Sequence, residues 1–145
     1  MGKVLIILVS STLDRLIALG TITLGLVSMG HEVSIYTTAS GSLAFLKNAA
    51  SSIRDYQSDG SLTGLVNSIV NGLNSLIGQG RFYPWYEMIR QAKDMGHVRV
   101  FVCVQPFELG GMRVSREDLI DVVDDLVMVG KLAELVDWAD KVITL

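Results

Sequence analysis

One thiol, two hydroxyls and one carboxylate are the groups in this sequence whose placement could support chemistry. Cys103 is the only cysteine. It stands near the end of a strand-forming run, "VRVFVCV", and the chain then breaks into Gln105, Pro106, Phe107, Glu108, Leu109 and the pair Gly110 and Gly111. Pro106 cannot donate a ladder hydrogen bond and so ends the strand. A thiol there lies at the carboxyl edge, where open α/β sheets gather their ligands. The loop beyond it could offer backbone N–H groups to an anion on sulfur, which favours the thiolate. Two readings of Cys103 stand side by side. It is either a small hydrophobe filling a central strand, since free cysteine is among the most buried residue types, or a reactive thiol. Glu108 is equally two-sided, as a general base or as a charge that keeps the thiol protonated; a third role is plain capping or solvation.

The second candidate lies in "SST", Ser10 to Thr12. Here a strand enters a helix, and the hydroxyls of Ser10 and Ser11 with the free N–H groups of the first turn could hold an oxyanion. Ordinary N-capping explains the same residues. His31 and His97 each follow a helix-ending glycine and precede a strand, which puts them at the opposite, amino edge; no third ligand accompanies them. The acidic run Glu117, Asp118, Asp121, Asp124 and Asp125 reads as a solvated helix face or as a dock for a basic protein.

The elements that must position these groups follow from periodicity. "KVLIILV" (Lys3 to Val9) is a continuous apolar run, as expected of a strand buried on both faces of a parallel sheet. A helix over Leu13 to Met29 is apolar nearly all round and is expected to be buried on two sides, by the sheet and by a second subunit. Gly30 closes it. "HEVSIYTT" is a second strand, and a short helix is expected at Leu43 to Asn48. Residues 49–80 read as an insertion carrying a weak amphipathic helix or a hairpin, with Gly64 and Gly72 inside it. A helix over Tyr83 to Met95, the Cys103 strand, a helix opened by the Ser115/Asp118 capping box, the strand "LVMVG", the helix "KLAELVDWAD" and the strand "KVITL" complete the order. Alternating strands and helices predict an α/β fold: a three-layer α/β/α sandwich around a mostly parallel five-stranded sheet, flavodoxin- or Rossmann-like, as one domain over residues 1–145.

Composition narrows the function. With 50% hydrophobic and only 19% charged residues, the chain has apolar surface to hide, and self-association is expected. A net charge of −3 without a basic stripe excludes a nucleic-acid partner. One cysteine excludes an internal disulfide or a cysteine-rich metal site and suits a reducing cytoplasm. The opening apolar run lacks a signal-peptide cleavage pattern. The asparagines and glycines between Gly60 and Gly80 argue against a membrane-spanning helix, so membrane association is not expected. No cofactor or metal is called for. The absence of G-x-G-x-x-G and of a P-loop at the first turn weighs against a nucleotide-binding module.

Taken together, these motifs resemble the DsrE/DsrF/DsrH-like sulfur-relay family. The resemblance rests on the first strand followed by "SSTLDRLIALGTITLGLVSMGHEVSIYTT", on "VRVFVCVQPFELGGMRVSREDLIDVV" and on the closing "ADKVITL". A branch with a long Gly-rich insertion before the cysteine strand fits best. Three places depart from that branch: "TTASG" stands where aromatics are usual, the insertion is rich in Leu and Asn where methionine is usual, and Gln-Pro-Phe follows the cysteine region where Ser-Met is usual. The resemblance implies a sulfur carrier or sulfurtransferase that holds a persulfide or thiosulfonate on Cys103. Gln105, Glu108 and Gly110 would belong to its loop, and Ser10 and Ser11 would serve the oxyanion. It further implies a homo-oligomer such as a trimer or hexamer, working with a partner thiol such as that of a small sulfur-carrier protein. With no second cysteine, the chain cannot complete a two-thiol redox cycle alone. The alternative is a non-catalytic interaction or membrane-associated protein of the same fold.

Overall fold

The structure is a computed structural model and describes residues 2–145. The chain runs β1 (Lys3–Leu8), α1 (Leu13–Ser28), β2 (Glu32–Thr37), α2 (Ser40–Leu43), α3 (Thr63–Gly78), α4 (Trp85–Met95), β3 (Val98–Cys103), α5 (Gln105–Leu109), β4 (Asp125–Val127), α6 (Val129–Trp138) and β5 (Lys141–Thr144). The five strands form one sheet in the order β4-β3-β2-β1-β5, and every pairing is parallel.

That order explains the layers. From β1 to β4 the chain steps across the sheet in one direction, and from β4 to β5 it returns past all of them. Because parallel crossovers are right-handed, reversing the direction of the step reverses the face that the connection covers. Val4, Ile6, Leu8, Val33, Ile35, Val98, Val100 and Val102 therefore point into the core under α1 and α4, while Leu5, Tyr36, Phe101 and Cys103 point to the face covered by α6. Strands buried on both faces need continuous apolar runs, and β1 and β3 have them.

On the first face α4 supplies the cover that α1 needs. Gly20 lies where a Cβ would stand 2.9 Å from the Met88 sulfur and 3.0 Å from the Trp85 carbonyl, so its missing side chain sets the helix separation. Phe45 and Tyr86 meet the Trp85 ring edge-on, at centroid distances of 5.1 and 5.5 Å.

Four expectations are corrected. The short helix falls on Ser40–Leu43 and not on Leu43 to Asn48; Leu46 instead forms an antiparallel bridge with Leu119. Residues 63–78 take the helix of the two alternatives expected there, 16 residues without a break at its glycines, and none of its residues is fully buried. The capping box does not open a long helix. The Asp118 carboxylate accepts from the Ser115 N–H at 2.9 Å, but only a turn of 3₁₀ helix, Arg116–Asp118, follows before Leu119 becomes extended. Leu119, Val122 and Val123 then plug the core as irregular chain, and the fourth strand begins earlier, at Asp125. The acidic run is accordingly no helix face. Asp121 pairs with Arg90, and Asp124 pairs with Lys93 and accepts from the Val100 N–H at 2.7 Å. The Arg90 guanidinium holds the Asp121 carboxyl below its ordinary range, chiefly by hydrogen bonding.

Candidate functional site

Cys103 is the last residue of β3 and is only 1% exposed. It sits opposite Val127 of β4 and diagonal to Tyr36 of β2, on the face that α6 covers. Tyr36 is also 1% exposed. Burial pushes the Tyr36 phenol well above the usual tyrosine range, and the neighbouring Cys103 side chain adds to the effect. The phenol therefore stays protonated beside the thiol.

The main chain of Cys103 is held from α2, just after β2. The Ser42 hydroxyl donates to the Cys103 carbonyl at 3.0 Å and lies 3.0 Å from the Thr37 hydroxyl, all three residues being buried. Ser42 reaches this position because residues 38–42 fold over the carboxyl edge of the sheet. The Thr38 N–H donates to the Leu8 carbonyl, and Gly41 lies so close that a Cβ would stand 2.5 Å from that same carbonyl oxygen. Ala39 makes the bend at φ 49° and ψ −140°, a conformation that costs a non-glycine residue about 1–3 kcal/mol.

Beyond Cys103, α5 starts at Gln105. Pro106 sits in its first turn, where a missing N–H costs nothing, and Phe107 is buried. Gln105 and Glu108 have exposed side chains, and Gly110 follows the last helical residue with φ −84°. The left-handed turn falls on the next residue, Gly111, at φ 69°. Leu109, Met112, Met128 and Val129, on the segments leaving β3 and β4, are exposed apolar residues around this edge.

Ser10 and Ser11 are not brought to the thiol. They follow β1, two strand spacings from β3, about 10 Å away. They also lead into α1, on the opposite face of the sheet. The Ser10 hydroxyl accepts from the Thr12 N–H at 3.3 Å, and the Leu13 N–H is taken by the Asp55 carbonyl. The sheet order reverses between β1 and β5, so the crevice that topology favours lies beside Ser10 and Ser11, while Cys103 is at the far side of β2. His97 stands at the amino end of β3, four or more residues from the thiol. Among the described residues no group of His, Cys, Asp and Glu side chains is arranged to hold a metal, and no helix is long and apolar enough to cross a membrane.

The site is thus a thiol at a strand end, beside a buried tyrosine and with its main chain fixed through a Ser–Thr pair. The model of the DsrE/DsrF-like family matches residues 3–145. The chain belongs to the DsrE/DsrF-like family. This family is generally one of sulfur relay. Among solved structures, a protein of unknown function from Methanobacterium thermoautotrophicum superposes over 100% of both chains with a TM-score of 0.56 at 17% identity, which supports the fold. No curated protein matches the chain.

Tyr36 and Ser42 were missed in the sequence, as was Gly111. A signal existed for Tyr36. If "EVSIYT" and "VRVFVC" are neighbouring parallel strands, alternation places Tyr36 and Cys103 on one face.

Proposed function

We propose that the protein is a sulfur carrier that holds sulfane sulfur on Cys103 and passes it to a partner thiol, such as that of a small sulfur-carrier protein. The observation that carries this reading is the lone cysteine of a DsrE/DsrF-like chain at the carboxyl end of β3, beside the buried Tyr36 phenol. The Cys103 thiolate attacks the outer sulfur of a donor persulfide. The donor S–S bond breaks, the donor leaves as a thiolate, and a persulfide forms on Cys103. The partner's thiolate then attacks that outer sulfur, and Cys103 leaves as a thiolate. Each exchange conserves electrons and needs no oxidant. The Tyr36 O–H stabilises the Cys103 sulfur both as nucleophile and as leaving group. With tetrathionate as donor, the thiolate attacks an inner sulfur, the central S–S bond breaks, thiosulfate leaves, and a thiosulfonate forms on Cys103. Gln105 and Glu108 border the loop through which a partner would approach, with Gly110 and Gly111 shaping its turn. Ser10 and Ser11 belong to a separate place on the carboxyl edge, where they could serve only the far end of a long donor. The family resemblance further supports a homo-oligomer and a reducing, cytoplasmic setting.

The test is intact mass after incubation with polysulfide or tetrathionate, before and after reductant, beside Cys103→Ser. A reductant-reversible adduct on the parent alone supports the carrier. A folded parent that stays unmodified overturns it. The burial of Cys103 favours a second reading in that case: a non-catalytic interaction protein in which the cysteine packs the core.

A further inference from the structure

A second place in the molecule has the makings of a ligand site, at the opposite edge of the sheet from Cys103. A cavity of about 310 Å³ opens between α6 and the amino ends of β2 and β3, on the α6 face. From Arg99, which lines it, to Cys103 is four residues of extended strand, about 13 Å. It is therefore separate from the thiol.

Its floor is apolar. Phe101 and Leu135 are each 6% exposed, and Trp138 forms one side. One buried polar group breaks that floor. Ser34 is 3% exposed as a residue and lines the cavity, and its hydroxyl is accessible there without a hydrogen bond among the described residues. The other buried hydroxyls are bonded: Thr23 to the Leu19 carbonyl, Thr37 to Ser42, and Ser42 to the Cys103 carbonyl. Facing the cavity, the Ser34 hydroxyl is a donor and acceptor open to whatever fills it.

The charges around it define what that is. Lys131 lies over the Phe101 ring at 4.8 Å and pairs with Glu134 at 3.2 Å, so these two neutralise each other. Arg99, alongside Ser34 in the β2–β3 register, and Glu32, two residues before Ser34 on the same face, both line the cavity. Neither forms an ion pair among the described residues. A simple anion would meet Glu32, and a simple cation would meet Arg99. A ligand carrying both charges satisfies both walls, and an apolar body satisfies the floor.

We propose that this cavity binds a small zwitterion of the α-amino-acid class with an apolar or aromatic side chain. Its carboxylate is held by Arg99 and Ser34, and its ammonium by Glu32. The planar guanidinium suits a carboxylate bidentately.

The test is calorimetric titration of the full chain with L-phenylalanine, with 3-phenylpropionate, which lacks the ammonium, and with phenethylamine, which lacks the carboxylate. Saturable binding of L-phenylalanine is expected, with each single-charge analogue weaker by about tenfold or more. Arg99→Gln and Glu32→Gln replace exposed side chains and should leave the melting temperature unchanged while weakening L-phenylalanine by a similar factor. The absence of saturable L-phenylalanine binding overturns the proposal. So does equal binding of either analogue, or unchanged affinity in both folded variants.

Discussion

The tyrosine beside the thiol makes two predictions at the scale of single residues. Its phenol is held above the ordinary value of 10.0 in the folded chain and returns to that value on unfolding. The folded state therefore binds the proton more tightly. The stability this contributes is complete below about pH 10 and is lost as pH rises from there towards the folded value. The slope is that of one proton, about 1.4 kcal/mol per pH unit. In urea melts between neutral and strongly alkaline pH, Tyr36→Phe should lose less stability than the parent. The same variant should slow sulfur loading of Cys103 without abolishing it, since it removes the neighbouring hydroxyl and leaves the nucleophile. The fold over the carboxyl edge gives a paired prediction. Gly41→Ala forces a methyl against the Leu8 carbonyl and should cost about 1–3 kcal/mol. Ala39→Gly relieves the bend and should raise the melting temperature, by the strain released less the roughly 0.5–1 kcal/mol of added chain entropy. Opposite shifts in thermal melts, with the rise for Ala39→Gly smaller than the fall for Gly41→Ala, would locate the strain in that turn.

Among the elements, α3 stands apart. It contacts chiefly the turn that precedes it, and only Val70 and Leu73 reach the core. Gly64 and Gly72 are exposed inside it, and an added Cβ at either position meets nothing. Gly64→Ala and Gly72→Ala should each stabilise this helix by about 1 kcal/mol. Amide exchange should show slower opening of residues 63–78, with little change in the strands. The contrast between this helix and the strands shows what was legible in the sequence. The strands were readable because each apolar run is continuous and long enough to cross a buried sheet, as in "KVLIILV". Their faces followed from alternation. The segment after Ser115 misled because a capping box and the spacing of Leu119, Ile120, Val122 and Val123 are also those of a helix. There tertiary demands win: the bridge from Leu119 to Leu46 and the hydrogen bond from the Val100 N–H to Asp124 need extended or irregular chain. Cys103 was legible as a strand-end thiol. Its partners were not, because Tyr36 and Ser42 come to it from another strand and a distant turn.

For the whole molecule, surface is the informative quantity. The accessible area is 7797 Å², against about 7300 Å² for a compact monomer of 15.8 kDa. The excess agrees with a helix that packs on the body along part of one side. Leu65 is 66% exposed on it, and Met128, Val129 and Leu109 are 67%, 68% and 81% exposed elsewhere. Burying such residues between copies is the ordinary remedy. Light scattering on the eluting protein should therefore give three or six times the chain mass. A mass of one chain would remove the homo-oligomer from the proposal.

The sheet order has a consequence for how the chain is made. β1 is an inner strand, but only because β5 pairs along one side of it, with Lys3 and Asp140 joined across a separation of 137 residues. On the ribosome β5 emerges more than 130 residues after β1. Through that interval a strand of almost wholly apolar residues is an open edge, able to pair with any other extended chain. Nascent chains released short of β5 should be the form of this protein that most depends on chaperones.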